Sequence, residues 1–193
     1  MSKLRPSIHA RYRFLDRLRK RVLLALVGVL ASSLVLGSLA PAFARIMTVE
    51  TLDVARYLGT WHEVARFPVF YQLGCSDSTA IYKQVDEVNY SVTNTCKHGS
   101  RTVEINGDAV VSGVGKFKVK FSSFFTFRAE YWVMWVSPNY QLAVVGVPKG
   151  NRGWILARSQ NPSPQLLNKA LLILEKNGYD VSDLIWNDDN LKP

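Results

Sequence analysis

Histidine and cysteine are scarce in this chain, with three His and two Cys among 193 residues. Past Arg45 the histidines are only His62 and His98, so a tetrahedral zinc site has few ligands to draw on. His62-Glu63 is followed at the fourth position by Arg66, not by the second histidine of a zinc helix. No Gly-x-Ser-x-Gly occurs, and a hydrolase would need a nucleophile set beside a base. Gly113-Val114-Gly115 lacks the Gly-Lys-Ser/Thr ending and the helix of a phosphate loop. Internal repeats and low-complexity tracts are missing too, and no metal or cofactor is expected.

Acidic residues are outnumbered, 15 against 24 Lys and Arg, for a net charge of +9. That excess is local. Before Arg45 stand Lys3, Arg5, Arg11, Arg13, Arg17, Arg19, Lys20 and Arg21 against Asp16 alone, a balance of +7. The rest, with 16 basic and 14 acidic groups, carries +2. A phosphate-binding surface is therefore not implied, and no nucleic-acid partner is expected.

The one long apolar run explains the basic segment beside it. Val22 to Leu39 follows Arg21 and leads into Pro41-Ala42-Phe43-Ala44. A basic region, an apolar region and an Ala-x-Ala ending describe a signal peptide over 1–44, cleaved after Ala44. The competing reading is an uncleaved anchor, since Val22 to Ala44 is just long enough to span a bilayer. Either way the body, 45–193, is expected outside the cytoplasm, in the periplasm, at the outer membrane or secreted. In such a compartment Cys75 and Cys96 read as a disulfide.

What is abundant is β pattern. Strands are expected over Thr60 to Phe67, Ser76 to Gln84, Val88 to Cys96, Thr102 to Val114, Lys116 to Phe121, Glu130 to Val136, Gln141 to Val147 and Gly153 to Ser159. Folding the second and third about Val85-Asp86-Glu87 brings Cys75 within a residue of facing Cys96, a separation that suits a bridge. Asn106-Gly107-Asp108 and then Gly113 and Gly115 interrupt Thr102 to Val114, and these glycines predict a bulged, strongly bent strand rather than a break. Ser163 can cap a helix with Pro164 at its first position, and Leu167, Ala170, Leu171 and Leu174 repeat until Asn177-Gly178. Leu184-Ile185-Trp186 reads as a short last strand. Eight short strands with tight connections argue for an all-β sandwich or closed barrel, with one amphipathic helix packed outside.

If successive strands are antiparallel neighbours, Gly59, Trp61, Tyr140 and Arg158 share one end, where indole, guanidinium and phenol can seal it. The other end collects Phe70 and Tyr71, the loop from Lys97 to Arg101, Phe124, Phe125 and Phe127, and Pro148 to Asn151. Strict alternation points Phe117, Val119 and Phe121 inward and their lysine neighbours to water. The same alternation places Tyr131, Val133 and Trp135 inside. Glu63 shares the parity of Trp61, and a carboxyl in an apolar cup calls for a ligand group, a Tyr hydroxyl or water as partner. A solidly packed core is the alternative for this set of residues.

Gly59-x-Trp61, Pro138-Asn139-Tyr140 and Arg158 resemble the three conserved regions of the lipocalin family, in order. Gly59-Thr60-Trp61-His62-Glu63-Val64-Ala65-Arg66, Trp154 to Ser159, Gly178-Tyr179-Asp180 and Leu184-Ile185-Trp186 are similar to bacterial outer-membrane-type lipocalins and their apolipoprotein D-like relatives. The resemblance runs from Asp53 to Trp186. It implies an eight-stranded antiparallel up-and-down barrel that binds or transports a fatty acid, lysophospholipid or similar lipid and is no enzyme. A lipocalin-type isomerase or synthase, or a membrane-contact protein on an uncleaved anchor, are the alternatives. It also implies inward positions for Ala80, Tyr82 and Asn94, beside Phe117, Val119, Phe121, Tyr131 and Val133. His62 departs from the family's usual Tyr and is read as surface; the lipid-bearing Cys of many bacterial members is missing.

Overall fold

The computed structural model describes residues 46–121 and 127–192. The expected signal peptide or anchor and the rim residues Phe124 and Phe125 lie outside the described residues. Among the described residues, no helix is long and apolar enough to cross a membrane.

A four-residue helix α1 (Val54–Tyr57), capped by the Asp53 side chain, leads into the sheet. The strands are β1 (Gly59–Arg66), β2 (Cys75–Gln84), β3 (Asn89–His98), β4 (Arg101–Gly113), β5 (Lys116–Phe121), β6 (Ala129–Val136), β7 (Leu142–Gly146) and β8 (Gly153–Ala157). Helix α2 (Pro164–Lys176) and β9 (Ile185–Trp186) follow. All pairings are antiparallel, and each strand from β2 to β8 neighbours the next in sequence. Strand β1 pairs with both β8 and β2, which closes the barrel.

That closing seam is short. Strand β1 meets β2 only from Gly59↔Tyr82 to His62↔Thr79. Beyond it β1 turns to β9, with Ala65↔Trp186 and Arg66↔Ile185. Gly59 enters at φ +91, a conformation that glycine adopts without penalty. Of the glycines expected to bulge β4, Gly113 adjoins a register shift, while β4 passes through Gly107 without one. A Cβ at Gly107 would stand 2.5 Å from the Lys120 carbonyl oxygen, so the glycine serves close approach of β5. The expected bulge of β4 lies between Val111 and Gly113.

Two apolar clusters divide the body. The inner one joins Tyr57, Trp61, Tyr90, Val92, Phe117 and Val133 inside the barrel. The outer one sets Leu167, Ala170 and Leu174 of α2 against Val64, Leu142, Val144 and Ile155. Ser163 caps α2 by accepting from the Leu166 amide, and Pro164 opens it, as the sequence pattern predicts. Its apolar stripe is covered by β6 and β7, as an amphipathic helix on a closed sheet requires.

Candidate functional site

The Gly59 end of the barrel is sealed by a stack. The Arg158 guanidinium lies 3.8 Å from the centre of the Trp61 ring, and Trp61 is completely buried. Arg158 donates to the carbonyls of Thr60, Arg56, Tyr57 and Leu58, at 2.6 to 3.2 Å. The Trp61 indole N–H donates to the Tyr57 carbonyl at 2.8 Å. Tyr140 is at this end, yet it stacks on Arg56 and accepts from the Asp53 amide, not on the Trp61–Arg158 pair. The Trp61 indole and both terminal nitrogens of Arg158 end on main-chain carbonyls, as buried polar groups need.

Above the plug three tyrosine hydroxyls meet. Tyr131 Oη lies 2.7 Å from Tyr57 Oη and accepts from Tyr82 Oη at 3.0 Å. Burial raises all three acidities' midpoints, that of Tyr82 to about 12, so the hydroxyls hold their protons. The three rings border a cavity of about 20 Å³ with Val54, Leu58, Tyr90, Ala109, Phe117 and Val119.

The structure brings Tyr82, Phe117, Val119, Phe121, Tyr131 and Val133 together in the inner cluster. Ala80 is buried opposite Trp61, and Asn94 faces Ala80 across β2 and β3. The Asn94 Oδ1 is buried without a hydrogen-bond partner among the described residues. Toward the other mouth the wall is bare: Val103, on the inward parity of Ile105 and Ala109, is 50% exposed.

Trp135 does not join this set. The β6–β7 register shifts between Val133 and Trp135, so Met134 and Trp135 both turn to the outer cluster beneath α2. Alternation fails beyond such a bulge because the extra residue reverses parity. A second bulge, between Glu63 and Ala65 of β1, decides what Glu63 meets. It turns Arg66 to the Glu63 side, and the guanidinium donates to Glu63 Oε1 at 2.8 Å. Gln72 donates to Glu63 Oε2 at 2.8 Å and accepts from the Trp154 indole at 3.0 Å. The expected partners, a ligand, a Tyr hydroxyl or water, are thus replaced by Arg66 and Gln72. Burial still pushes the Glu63 carboxyl above its ordinary value, against the opposing pull of Arg66 and Gln72.

This network fastens the open end. Arg66 also reaches the carbonyls of Gln72 and Cys75, each at 3.2 Å. Asn187, just past β9, accepts from Arg66 and donates to the Glu63 carbonyl. Cys75 and Cys96 are bridged, with Cα atoms 5.4 Å apart. In register Cys75 faces His98, and a shift between Ser76 and Thr79 accompanies the offset that the bridge spans. Around it Phe70 and Leu73 are largely exposed, as is Phe127 across the mouth. His62 faces outward between Thr79 and Ala157 but is half-buried, with Nδ1 lacking a partner among the described residues.

Sequence reasoning missed Tyr57, Tyr90, Trp154 and Leu156 inside and Gln72 at the mouth. Tyr57 sits in a helix too short to show a period, and Gln72 in a 3-10 turn, Phe70–Gln72, that carries none. Among the described residues, no three His, Cys, Asp or Glu cluster as metal ligands.

Comparison with known proteins agrees with this architecture. The sequence model of the Lipocalin-like domain matches residues 52–189. The chain is 31% identical over 170 residues to the outer membrane lipoprotein Blc of Escherichia coli K12, covering 86% of this chain and 96% of that one. With bovine apolipoprotein D it shares 30% over 149 residues, covering 72% and 78%. Among solved structures, insecticyanin of the tobacco hornworm Manduca sexta superposes with a TM-score of 0.62 at 21% identity, covering 74% and 84%. With its closed eight-stranded barrel, its Trp61–Arg158 plug and these relatives, the chain belongs to the lipocalin family.

Proposed function

We propose that the protein is an exported, non-catalytic carrier of a small hydrophobic ligand, of the fatty-acid or lysophospholipid kind, held in the barrel cup. One observation carries the reading: apolar inward-facing side chains stand between an end closed by Trp61 and Arg158 and a mouth where inward Val103 meets solvent. Apolar transfer from water then drives binding, at about 25 cal/mol per Å² of buried surface. Glu63 and Arg66 neutralise one another, so the wall offers a guest little net charge. The ligand contacts we assign are Ala80, Tyr82, Asn94, Phe117, Val119, Phe121, Tyr131 and Val133.

Export is supported by the basic and apolar order of 1–44, and Blc carries the name of an outer membrane lipoprotein. The test is native mass spectrometry of the protein taken from its own exported fraction, followed by titration of the delipidated protein with fatty acid. A lipid-mass adduct and quenching of the barrel tryptophans are expected. A bare chain that also takes up no fatty acid overturns the reading. N-terminal sequencing of the same sample separates cleavage after Ala44 from an anchored, Met1-starting form.

A second reading concerns the rim. Phe70, Leu73 and Phe127 are 74%, 68% and 62% exposed around one mouth. Apolar side chains gathered around a mouth suit contact with a membrane surface, where the ligand would enter or leave. Co-sedimentation with lipid vesicles measures that contact.

A further inference from the structure

Two buried polar atoms on one wall of the barrel, Ser78 Oγ and Asn94 Oδ1, have no hydrogen-bond partner among the described residues. Register places both on the inner face. Ala80 pairs with Trp61 on one side and with Asn94 on the other, and residues paired across strands share a face. Trp61 belongs to the inner cluster, so Ala80 and Asn94 point inward with it. Ser78 arrives there by a bulge. Between the pairs Ser76↔Lys97 and Thr79↔Thr95, Asp77 and Ser78 together oppose Cys96 alone. Asp77, at φ +49, turns outward to Lys97 at 2.8 Å and Gln160 at 3.1 Å. Thr79 meets the Thr95 hydroxyl at 2.7 Å on that outer face, opposite to Asn94. Ser78, between them, is left facing the interior and is 5% exposed. It is a diagonal neighbour of Asn94, about 7 Å away at the backbone, a gap that one hydrogen-bonding group spans. The wall beside the pair is open. Cys96 faces Val103 of β4, which is 50% exposed, and Asn94 is itself only half-buried.

We propose that Ser78 and Asn94 form a polar step in the cup wall that recognises a hydroxyl group carried along the hydrocarbon chain of the ligand. This rests on the carrier reading and adds a substrate class to it. Asn94 Oδ1 accepts, and a serine hydroxyl both gives and takes, so their complement gives one proton and takes another. A hydroxyl does both. It fits equally if the Asn94 amide turns over and offers its NH2, because it can then accept. A plain methylene chain passing the step leaves both polar atoms unsatisfied, which weighs against it relative to a hydroxylated one. A carboxylate only accepts and cannot answer Asn94 Oδ1. Deeper in, the cavity is bordered by apolar side chains and by tyrosines whose hydroxyls bond one another, so the end that enters first is a plain tail.

The experiment measures displacement of a fluorescent fatty acid by a saturated fatty acid and by its monohydroxy isomers. The isomers carry the hydroxyl beside the carboxyl, at mid-chain or beside the terminal methyl. The proteins are wild type, Ser78→Ala and Ser78→Ala/Asn94→Leu. Each substitution exchanges an unpartnered polar group for an apolar one of similar size, a change that packed sites tolerate. The ratio of mid-chain isomer to parent affinity is expected to fall about tenfold from wild type to double variant, and the ratios of the other two isomers to fall less. Ratios unchanged for every isomer overturn the proposal and leave the two atoms to a resident water, with the carrier reading intact. An equal fall for all three isomers also overturns it, because a fixed step distinguishes positions along the chain. Failure of parent and isomers alike to displace the probe from wild type removes the carrier reading and this proposal with it. If the double variant does not fold, Ser78→Ala decides by the same ratio: a fall greatest for the mid-chain isomer supports the step, and an unchanged ratio overturns it.

Discussion

The two ends of the barrel are held by different chemistry. At the closed end side chains terminate on main-chain carbonyls: Arg158 on four of them, the Trp61 indole on Tyr57. At the open end side chains also hold one another, through the Glu63–Arg66–Gln72–Trp154 network and the Cys75–Cys96 bridge, beside the main-chain carbonyls that Arg66 and Asn187 reach. Carbonyls neither titrate nor oxidise, so the plug is indifferent to its surroundings. The mouth answers to protonation and to reductant. The closed end is tied by groups that conditions leave alone, and the end that would admit a guest by bonds that conditions can loosen.

The largest effect tests the plug. Trp61→Ala empties a fully buried site under the Arg158 stack and is expected to cost about 4 kcal/mol. Chemical denaturation reads it directly; a near-wild-type midpoint would mean that the closed end is held elsewhere.

The mouth comes next. Glu63→Ala leaves the Arg66 guanidinium buried and uncompensated, with an expected loss of about 3 kcal/mol. Removing both charges, as Glu63→Leu/Arg66→Met, is expected to restore most of it, because burying either ion is itself unfavourable. Glu63 supplies a pH sign as well. Its folded-state value lies above the unfolded one, so the folded state binds the extra proton. Its contribution is fully present below the unfolded value of 4.5 and fades as pH rises through the raised folded value. The Glu63→Leu/Arg66→Met variant is expected to lose that slope. Removing the Cys75–Cys96 bridge by double serine substitution, over a separation of 21 residues, is expected to cost about 3 kcal/mol.

How much of this was legible in the sequence divides along the same line. The plug was largely legible, because Gly59, Trp61 and Arg158 sit on unbroken strand ends where period-2 counting holds. So was α2, whose cap, first proline and apolar repeat agree with one another. The mouth was not. Bulges at Glu63/Ala65 and Val133/Trp135 reverse parity without a glycine or proline to announce them. Counting by twos therefore hid the Arg66 partner of Glu63 and placed Trp135 inside, where it packs beneath α2. The bulge expected of the β4 glycines falls beside Gly113, while Gly107 marks a tight crossing of strands. The Tyr57–Tyr82–Tyr131 meeting joins a short helix to two strands, a coincidence in space that no spacing encodes.

The inner trio and the wall around it share a further signature at alkaline pH. Tyr57, Tyr82 and Tyr131 all have folded-state values raised by burial, Tyr82 to about 12 against 10.0 when unfolded. Above pH 10 the unfolded chain releases protons that the folded one keeps, so stability falls as pH rises toward 12. The Tyr57→Phe/Tyr82→Phe/Tyr131→Phe variant is expected to show a flatter alkaline limb in thermal melts. An identical limb would locate the raised phenols elsewhere in the body.

The smallest expected effect on stability sharpens the contrast most. Phe70 and Leu73 stand largely in solvent on the turn that Gln72 anchors, so Phe70→Ser/Leu73→Ser removes little packed surface. The folded protein is expected to melt within about 0.5 kcal/mol of wild type, as surface positions do. Vesicle association is expected to drop sharply, because exposed apolar area is what a membrane surface would receive. Equal vesicle binding by both proteins would strip the rim of that role. A large fall in stability would instead make the turn part of the fold's support, and the two ends would then differ in chemistry but not in purpose.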